Sequence, residues 1–357
     1  MKSLEDFKED IHKCSRCGLC QAVCPIFKAT GNDCTVSRGQ FVMLNGLIKG
    51  DLKMTKMLNR YLELCLKCSA CSKFCPSGID VVDVIAAAKS KYFEKNSYEK
   101  LISFIQKNIL FGILLNFAKF FNQNTKSKKF DKKVLYYGGC GSKARGDKTV
   151  VKILNSIGIE VINPNFSCCG MPFFTRGDFD NFGKYIQKFV NIVKKYNIDE
   201  IVTTCATCEK TIKDYKKWCD NKENLEILNK LKIKNIYNYI CENEYKLTLK
   251  KSFNVTYHKP CNLNNYNDIE WILNNTENLN YVKSDNYDEC CGLNGLTNIK
   301  EIRTLKNVYK AKRDGILKTG EKLVLTSCLG CEATLSLYSF GAYKVMDLAE
   351  FLSKNLL

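Results

Sequence analysis

The residues able to do chemistry in this sequence are cysteines: 21 of them in 357 residues, against two histidines. Over residues 13–25 the chain reads KCSRCGLCQAVCP, and over 65–76 it reads CLKCSACSKFCP. Cys14, Cys17, Cys20 and Cys24 thus recur as Cys65, Cys68, Cys71 and Cys75, each 51 residues further on. Soft, deprotonated sulfur is what iron–sulfur chemistry requires. C-x2-C-x2-C-x3-C-P is the spacing of a cubane [4Fe–4S] site in two-cluster ferredoxins, where the fourth cysteine reaches the other cluster. That rule predicts one cubane on Cys14, Cys17, Cys20 and Cys75 and a second on Cys65, Cys68, Cys71 and Cys24. Zinc also takes paired C-x2-C. A triple cysteine run closed by Cys-Pro, written twice, argues against it.

A longer repeat follows. Cys140, Cys168, Cys169, Cys205 and Cys208 return as Cys261, Cys290, Cys291, Cys328 and Cys331, at offsets of 121 to 123 residues. A whole module is duplicated. Vicinal cysteines could instead form a redox disulfide, and C-x2-C a thioredoxin-like dithiol; the recurrence of the complete set of five favours cluster binding at each. Cys34, Cys219 and Cys241 fall outside both repeats and read as ordinary thiols. His258 reads as a structural or hydrogen-bonding residue near a site rather than a catalytic one. The GGCGS run at 138–142 lacks both the P-loop lysine and G-x-G-x-x-G, so its glycines read as allowing close backbone approach to a cluster.

These cysteines must be positioned by regular elements. KVLYYGGC, EIVTTCATC, FNVTYHKPC and KLVLTSCLGC are strand-like runs that each end in cysteine. Helical patterns cover 149–157, 179–196 and about 297–318. The second-repeat cysteines therefore fall after strands or on loops, where open α/β sheets collect ligands. Forty residues separate Cys24 from Cys65, and SRGQFVMLNGLIKG and MTKMLNRYLELC within them are helix-compatible. The expected architecture is α+β and multidomain: a helical two-cluster ferredoxin domain over 1–100, an apolar connector over 101–132, and duplicated α/β modules over 133–248 and 249–357.

In the connector, the apolar core at 109–121 is too short to span a bilayer, which takes about 20 apolar residues. Its polar positions form one narrow helical stripe, and lysines follow. It is either a helix on an anionic membrane surface or one buried against protein, and the wide apolar face favours burial.

The five-cysteine pattern, C, about 30 residues, CCG, about 35 residues, C-x2-C, resembles the CCG-domain iron–sulfur oxidoreductase subunits. These occur in glycolate oxidase, D-lactate dehydrogenase, anaerobic glycerol-3-phosphate dehydrogenase and heterodisulfide reductase. The resemblance implies one or two further [4Fe–4S] clusters, of the non-cubane kind in the heterodisulfide reductase branch, held by Cys140, Cys168, Cys169, Cys205 and Cys208 and by Cys261, Cys290, Cys291, Cys328 and Cys331. CPSGID after Cys75 is similar to glycolate oxidase iron–sulfur subunits, whereas CATC and CLGC are more similar to heterodisulfide reductase. The family's His-Asp-Pro-Cys is His258-Lys259-Pro260-Cys261 here, so any role of that aspartate does not carry over.

Two functions follow from the resemblance. One is an electron-transfer subunit between a partner flavoprotein, of the 2-hydroxy-acid or glycerol-3-phosphate dehydrogenase type, and a quinone or other acceptor. The alternative is a heterodisulfide reductase-like enzyme that cleaves a disulfide at a CCG site. A third, weaker possibility is an anchoring module that docks an enzyme to membrane. No dinucleotide fingerprint is present for hydride transfer. The formal charge of +18 overstates basicity, because each four-thiolate cubane is net negative by about two charges; with no nucleic-acid module in view, nucleic acid is not an expected partner. The mixed-charge opening MKSLEDFKED has no apolar signal region, which points to a reducing, cytoplasmic location, with peripheral contact to the inner membrane face left open.

Overall fold

The computed structural model describes residues 1–105, 125–139, 147–164, 166–295 and 297–357. Most of the connector and Cys140 lie outside the described residues. The chain divides into two compact units: Met1–Ile105 with Pro172–Phe182 and Glu289–Lys312, and Gln106–Met171 with Gly183–Asp288 and Arg313–Leu357.

The first unit is helical. Its longest helix, Val81–Lys95, is buried continuously from Val81 to Ser90, a stretch of valine, isoleucine and three successive alanines that suits a helix enclosed on all sides. Helix Lys56–Glu63 begins where the Thr55 hydroxyl accepts from the Leu58 N–H, and helix Ser37–Lys49 stops at Gly50, whose φ of +84° few other residues adopt. The predicted helical content between the two cysteine runs is thus present as these two helices.

The second unit contains two four-stranded parallel sheets of identical order. The first has strands β1 (Lys132–Tyr137), β2 (Ile159–Ile162), β3 (Glu200–Thr203) and β4 (Lys232–Asn235), arranged β2-β1-β3-β4. The second has β5 (Thr248–His258), β6 (Glu277–Tyr281), β7 (Leu323–Thr326) and β8 (Lys344–Asp347), arranged β6-β5-β7-β8. The register also repeats: Tyr137 pairs with Thr203 and, 121 and 123 residues on, His258 pairs with Thr326. In both sheets the order reverses at the central strand pair, so the crevice beyond the carboxyl ends of β1/β3 and β5/β7 is where ligands collect.

The modules are joined by a reciprocal interface. Helix Asp147–Ser156, after β1, packs on Leu348–Asn355, after β8; helix Tyr266–Asn275, after β5, packs on Ile236–Glu242, after β4. Equivalent helices exchange roles, as in an isologous two-fold contact. Val134, Tyr136, Val202 and Ile236 from one copy and Val255, Tyr257, Leu325 and Phe351 from the other form one continuous core.

Candidate metal centres

In the first unit, local backbone explains how the short motifs gather sulfur. Arg16 and Gly18 have φ of +57° and +87°; their counterparts Lys67 and Ser69 have +53° and +58°. Such left-handed turns aim successive backbone N–H groups into one concavity, a common cradle for anionic groups including iron–sulfur clusters. Each turn leads into a short helix that carries the third cysteine, Cys20 on Leu19–Val23 and Cys71 on Ala70–Lys73. Pro25 then starts helix Pro25–Thr30 and leaves Cys24 at its N-cap.

Two cavities result. Cys14, Cys17, Cys20 and Cys75 line one, with Cys71 also at its edge. Cys24, Cys65, Cys68 and Cys71 line the other. The fourth cysteine of each run therefore reaches the cavity of the other run. Four converging sulfurs and backbone N–H groups fit a four-iron cluster in both. The second cavity is the more enclosed. Burial pushes the Cys24 thiol up to about 12 and the Cys71 thiol well above its usual value, a penalty that binding iron as thiolate would reverse.

Two buried lysines stand near Cys65 of this second set, a feature that cysteine spacing does not reveal. Lys67, inside the motif, donates to Asn294 Oδ1 at 2.5 Å; Lys89 donates to the Thr175 carbonyl at 2.7 Å. Burial lowers the pKa of both. A bound anionic centre would favour their charged forms.

Also in the first unit, Cys290 donates a hydrogen bond to Cys68, which lowers the Cys68 thiol to about 7. The second CCG pair thus meets the second cubane motif. The loop bearing it is fixed by Lys28–Glu289 at 3.1 Å and by a two-pronged Arg60–Glu301 pair at 2.5 and 3.0 Å, together with the Lys67–Asn294 bond.

In the second unit, β3 and β7 each run into a cysteine that caps a helix: Cys205 before Ala206–Trp218 and Cys328 before Leu329–Tyr338. C-x2-C then places Cys208 and Cys331 in the first turn, at the positive helix end; hydrogen bonds to the Cys169 and Cys205 sulfurs, with burial, nonetheless raise the Cys208 thiol well above its usual value. Gly139 follows β1 with φ of +59°, and a side chain there would meet the Cys208 sulfur at 3.0 Å.

The sulfurs form a series. Cys168 and Cys208 both bond Cys169, which holds the Cys169 thiol well below its usual value. Cys208 bonds Cys205. Cys205 then bonds Cys328 across the module interface, and Cys331 bonds Cys328 as well, so Cys328 is also held low. Thr207 Oγ1 lies 3.2 Å from Cys328 Sγ, and the Ala206 N–H donates to the Ser327 carbonyl at 3.0 Å. The first set is further fixed by Tyr215, whose hydroxyl donates to the Cys169 carbonyl at 2.8 Å, and by Tyr137, which donates to the Ser167 carbonyl at 2.6 Å. Cys261 sits on the loop after β5 and is half-buried. The second set of five is divided between the units: Cys290 and Cys291 in the first, Cys261, Cys328 and Cys331 in the second.

Comparison with known proteins agrees with this arrangement. The family model described as a 4Fe-4S dicluster domain matches residues 10–79. The cysteine-rich domain model, CCG, matches twice, over 134–213 and 255–336. The chain belongs to the CCG-domain iron–sulfur oxidoreductase subunits. Among these iron–sulfur proteins, an uncharacterized one from Methanococcus maripaludis is 26% identical, over 92% of this chain and 68% of its own length. The probable glycolate oxidase iron–sulfur subunit of Bacillus subtilis is 22% identical, over 93% and 91%. One subunit of the dihydromethanophenazine:CoB–CoM heterodisulfide reductase of Methanosarcina mazei is also 22% identical, over 91% and 88%. A crystal structure of a hypothetical protein from Helicobacter pylori superimposes with a TM-score of 0.52 at 11% identity, covering 98% of this chain and 75% of that one, a likeness of fold alone. Among the described residues, no helix is long and apolar enough to cross a membrane. The likeness to iron–sulfur subunits of oxidoreductases supports an electron-transfer role for this chain.

Proposed function

We propose that this chain is the iron–sulfur relay subunit of an oxidoreductase. It receives single electrons from a partner flavoprotein of the 2-hydroxy-acid or glycerol-3-phosphate dehydrogenase type and passes them towards a quinone or another acceptor. Cys14, Cys17, Cys20 and Cys75 hold one cubane, and Cys65, Cys68, Cys71 and Cys24 the other. Cys168, Cys169, Cys205 and Cys208, with Cys140, form the first CCG site; Cys261, Cys290, Cys291, Cys328 and Cys331 form the second. When bound, four-iron clusters supply one-electron steps.

The observation that carries this reading is the seriality of the sulfurs. Cys68 touches Cys290, and Cys168–Cys169–Cys208–Cys205–Cys328–Cys331 is unbroken. Clusters bound at consecutively touching sulfurs would lie at short range from one another, as stepwise electron transfer requires. The chain's own residues hold the sulfurs, bury Cys168, Cys169, Cys208, Cys328 and Cys331 away from water, and set Lys67 and Lys89 near Cys65, where a bound anionic centre would favour their charged forms. The protein works in the cytoplasm, with peripheral contact to the inner membrane face where quinone is the acceptor.

The test is anaerobic purification of the tagged chain from its host. Stoichiometric flavin with a co-purifying flavoprotein is the expected result, and the substrate that bleaches the flavin identifies the pathway. A flavin-free complex overturns the relay reading.

One observation favours a second reading. Cys205 and Cys328 meet across the module interface, so two CCG sites that each hold an electron would face one substrate S–S bond from two sides. That geometry suits a disulfide reductase. Flavin-free protein with about 16 irons per chain, as four four-iron clusters require, and disulfide turnover abolished by Cys328→Ser would select it.

A further inference from the structure

The duplication makes each site a control for the other, and the match breaks at the end of the first strand of each sheet. The last residue of β1 is Tyr137; its counterpart at the end of β5 is His258. Tyr137 directs its only polar atom to the Ser167 carbonyl and packs its ring on Phe166 and Phe189. Its one hydroxyl proton is committed to that carbonyl rather than to a described sulfur of the first site. His258 is 1% exposed, and one ring nitrogen lies within 4.8 Å of the Cys331 sulfur.

The surrounding strand face differs in the same sense. Two residues back on the same face, Leu135 in the first module corresponds to Thr256 in the second. Thr256 and Thr326, the latter the strand partner of His258, are both completely buried. Their hydroxyl oxygens have no hydrogen-bond partner among the described residues. At this sheet end the second copy has imidazole and hydroxyl groups at His258 and Thr256 where the first has Tyr137 and Leu135, while Thr326 is matched by the equally buried Thr203. Burying those groups costs free energy unless something in the site uses them.

We propose that His258 donates a ring N–H to the Cys331 thiolate and so makes the centre held by Cys328 and Cys331 easier to reduce than the one held by Cys205 and Cys208. This rests on the reading that Cys331 ligates iron. An imidazole always carries at least one N–H, and a ligating thiolate is an acceptor. Hydrogen bonds to ligand sulfur stabilise the more negative, reduced cluster and raise its potential. His258 is a positioning and tuning residue in this role. Electrons would then come to rest on the second site, giving the pair a direction that identical copies would lack.

The experiment uses anaerobically isolated holoprotein grown on 15N-histidine. With only two histidines in the chain, His12→Asn leaves His258 as the sole labelled ring. Pulsed EPR of the reduced protein should show weak histidine-nitrogen coupling on one cluster signal, retained in His12→Asn. Redox titration of His258→Phe should move one transition to lower potential, with iron content and the other transitions unchanged, whereas Tyr137→Phe should move none of them. No nitrogen coupling in His12→Asn overturns the proposal, and this holds even where His258→Phe fails to fold. Wild-type protein with only about eight irons, the content of two cubanes, would overturn the underlying cluster reading instead, so the two failures are distinguishable.

Discussion

The first and second CCG modules share strand order, register and cysteine spacing, yet they secure their vicinal cysteines by different physics. In the first, Cys168 and Cys169 stay with their own module: aromatic hydroxyls from its helix Ala206–Trp218 and strand β1 hold the loop through Tyr215 and Tyr137. In the second, the pair belongs to the helical unit and is tied there by Lys28–Glu289, Arg60–Glu301 and Lys67–Asn294. Tyr338, the counterpart of Tyr215, instead packs its ring on exposed Phe340. Duplication copied the ligands; divergence changed what holds them. The vicinal pair of one copy lies beside its own sheet, and that of the other lies in the helical unit next to Cys68.

The largest expected effect breaks that comparison directly. Cys169→Ser should remove about four irons per chain, the content of one cluster, and leave both cubane signals intact. Cys290→Ser should remove a similar amount and also alter the EPR signal of the centre at Cys65, Cys68 and Cys71, because Cys290 bonds Cys68. Equal and purely local losses in the two variants would show the copies to be equivalent after all.

Next comes Lys67. Its ammonium is buried beside Cys65 and anchors Asn294. Lys67→Met removes a positive charge near Cys65 of the second cubane and leaves Asn294 without its donor. The midpoint potential of that centre should fall, and stability should drop by about 1–3 kcal/mol, the cost of an unmade buried hydrogen bond. An EPR titration and a denaturation curve on the holoprotein check the two parts separately. The first cubane should not respond.

A smaller effect tests the aromatic anchors. Tyr215→Phe strips the donor from the buried Cys169 carbonyl and should cost about 1–3 kcal/mol. An unchanged denaturation midpoint would mean that the vicinal pair of the first module is held without this hydroxyl.

Much of this was legible in the sequence because it is local. Strand-like runs ending in cysteine predicted β1, β3, β5 and β7, and helix Phe179–Tyr196 falls on its predicted span. The pattern at 297–318 is interrupted at Glu301, giving Thr297–Lys300 and Ile302–Leu317. Strands β4, β6 and β8 carry no strong signal: KIKN, ENLNY and KVMD are short, polar at half or more of their positions, and depend on their neighbours for pairing. The long-range sulfur contacts were not legible at all. Cys68 and Cys290 are 222 residues apart, and nothing in the spacing around either names the other. The Cys205–Cys328 contact follows from how two copies pack, which repeat length alone does not reveal. Lys67 and Lys89 look like surface lysines until burial is known.

The smallest expected effect sharpens the comparison at the far strand of each sheet. Strand β4 ends in Asn235, which caps helix Ile236–Glu242; strand β8 ends in Asp347, which caps helix Leu348–Asn355 and accepts from the Ala349 and Glu350 N–H groups. The second module thus has an acid where the first has a neutral cap. Burial, with the Glu332 and Glu350 charges nearby, pushes the Asp347 carboxyl up to about 7. A carboxyl whose folded pKa exceeds its unfolded value of about 3.9 binds more protons in the folded state between those two values. Stability from this group is therefore full below about pH 4 and is lost as pH rises through 7. Asp347→Asn, which makes the cap like that of the first module, should match wild type near pH 4, gain on it progressively up to pH 7, and show no further divergence above that. Denaturation midpoints of the two proteins across pH 5–8, where the clusters stay bound, measure the slope difference. A constant difference across that range would mean that the two backbone N–H groups hold Asp347 ionised throughout, and that the caps of the two modules are electrostatically alike.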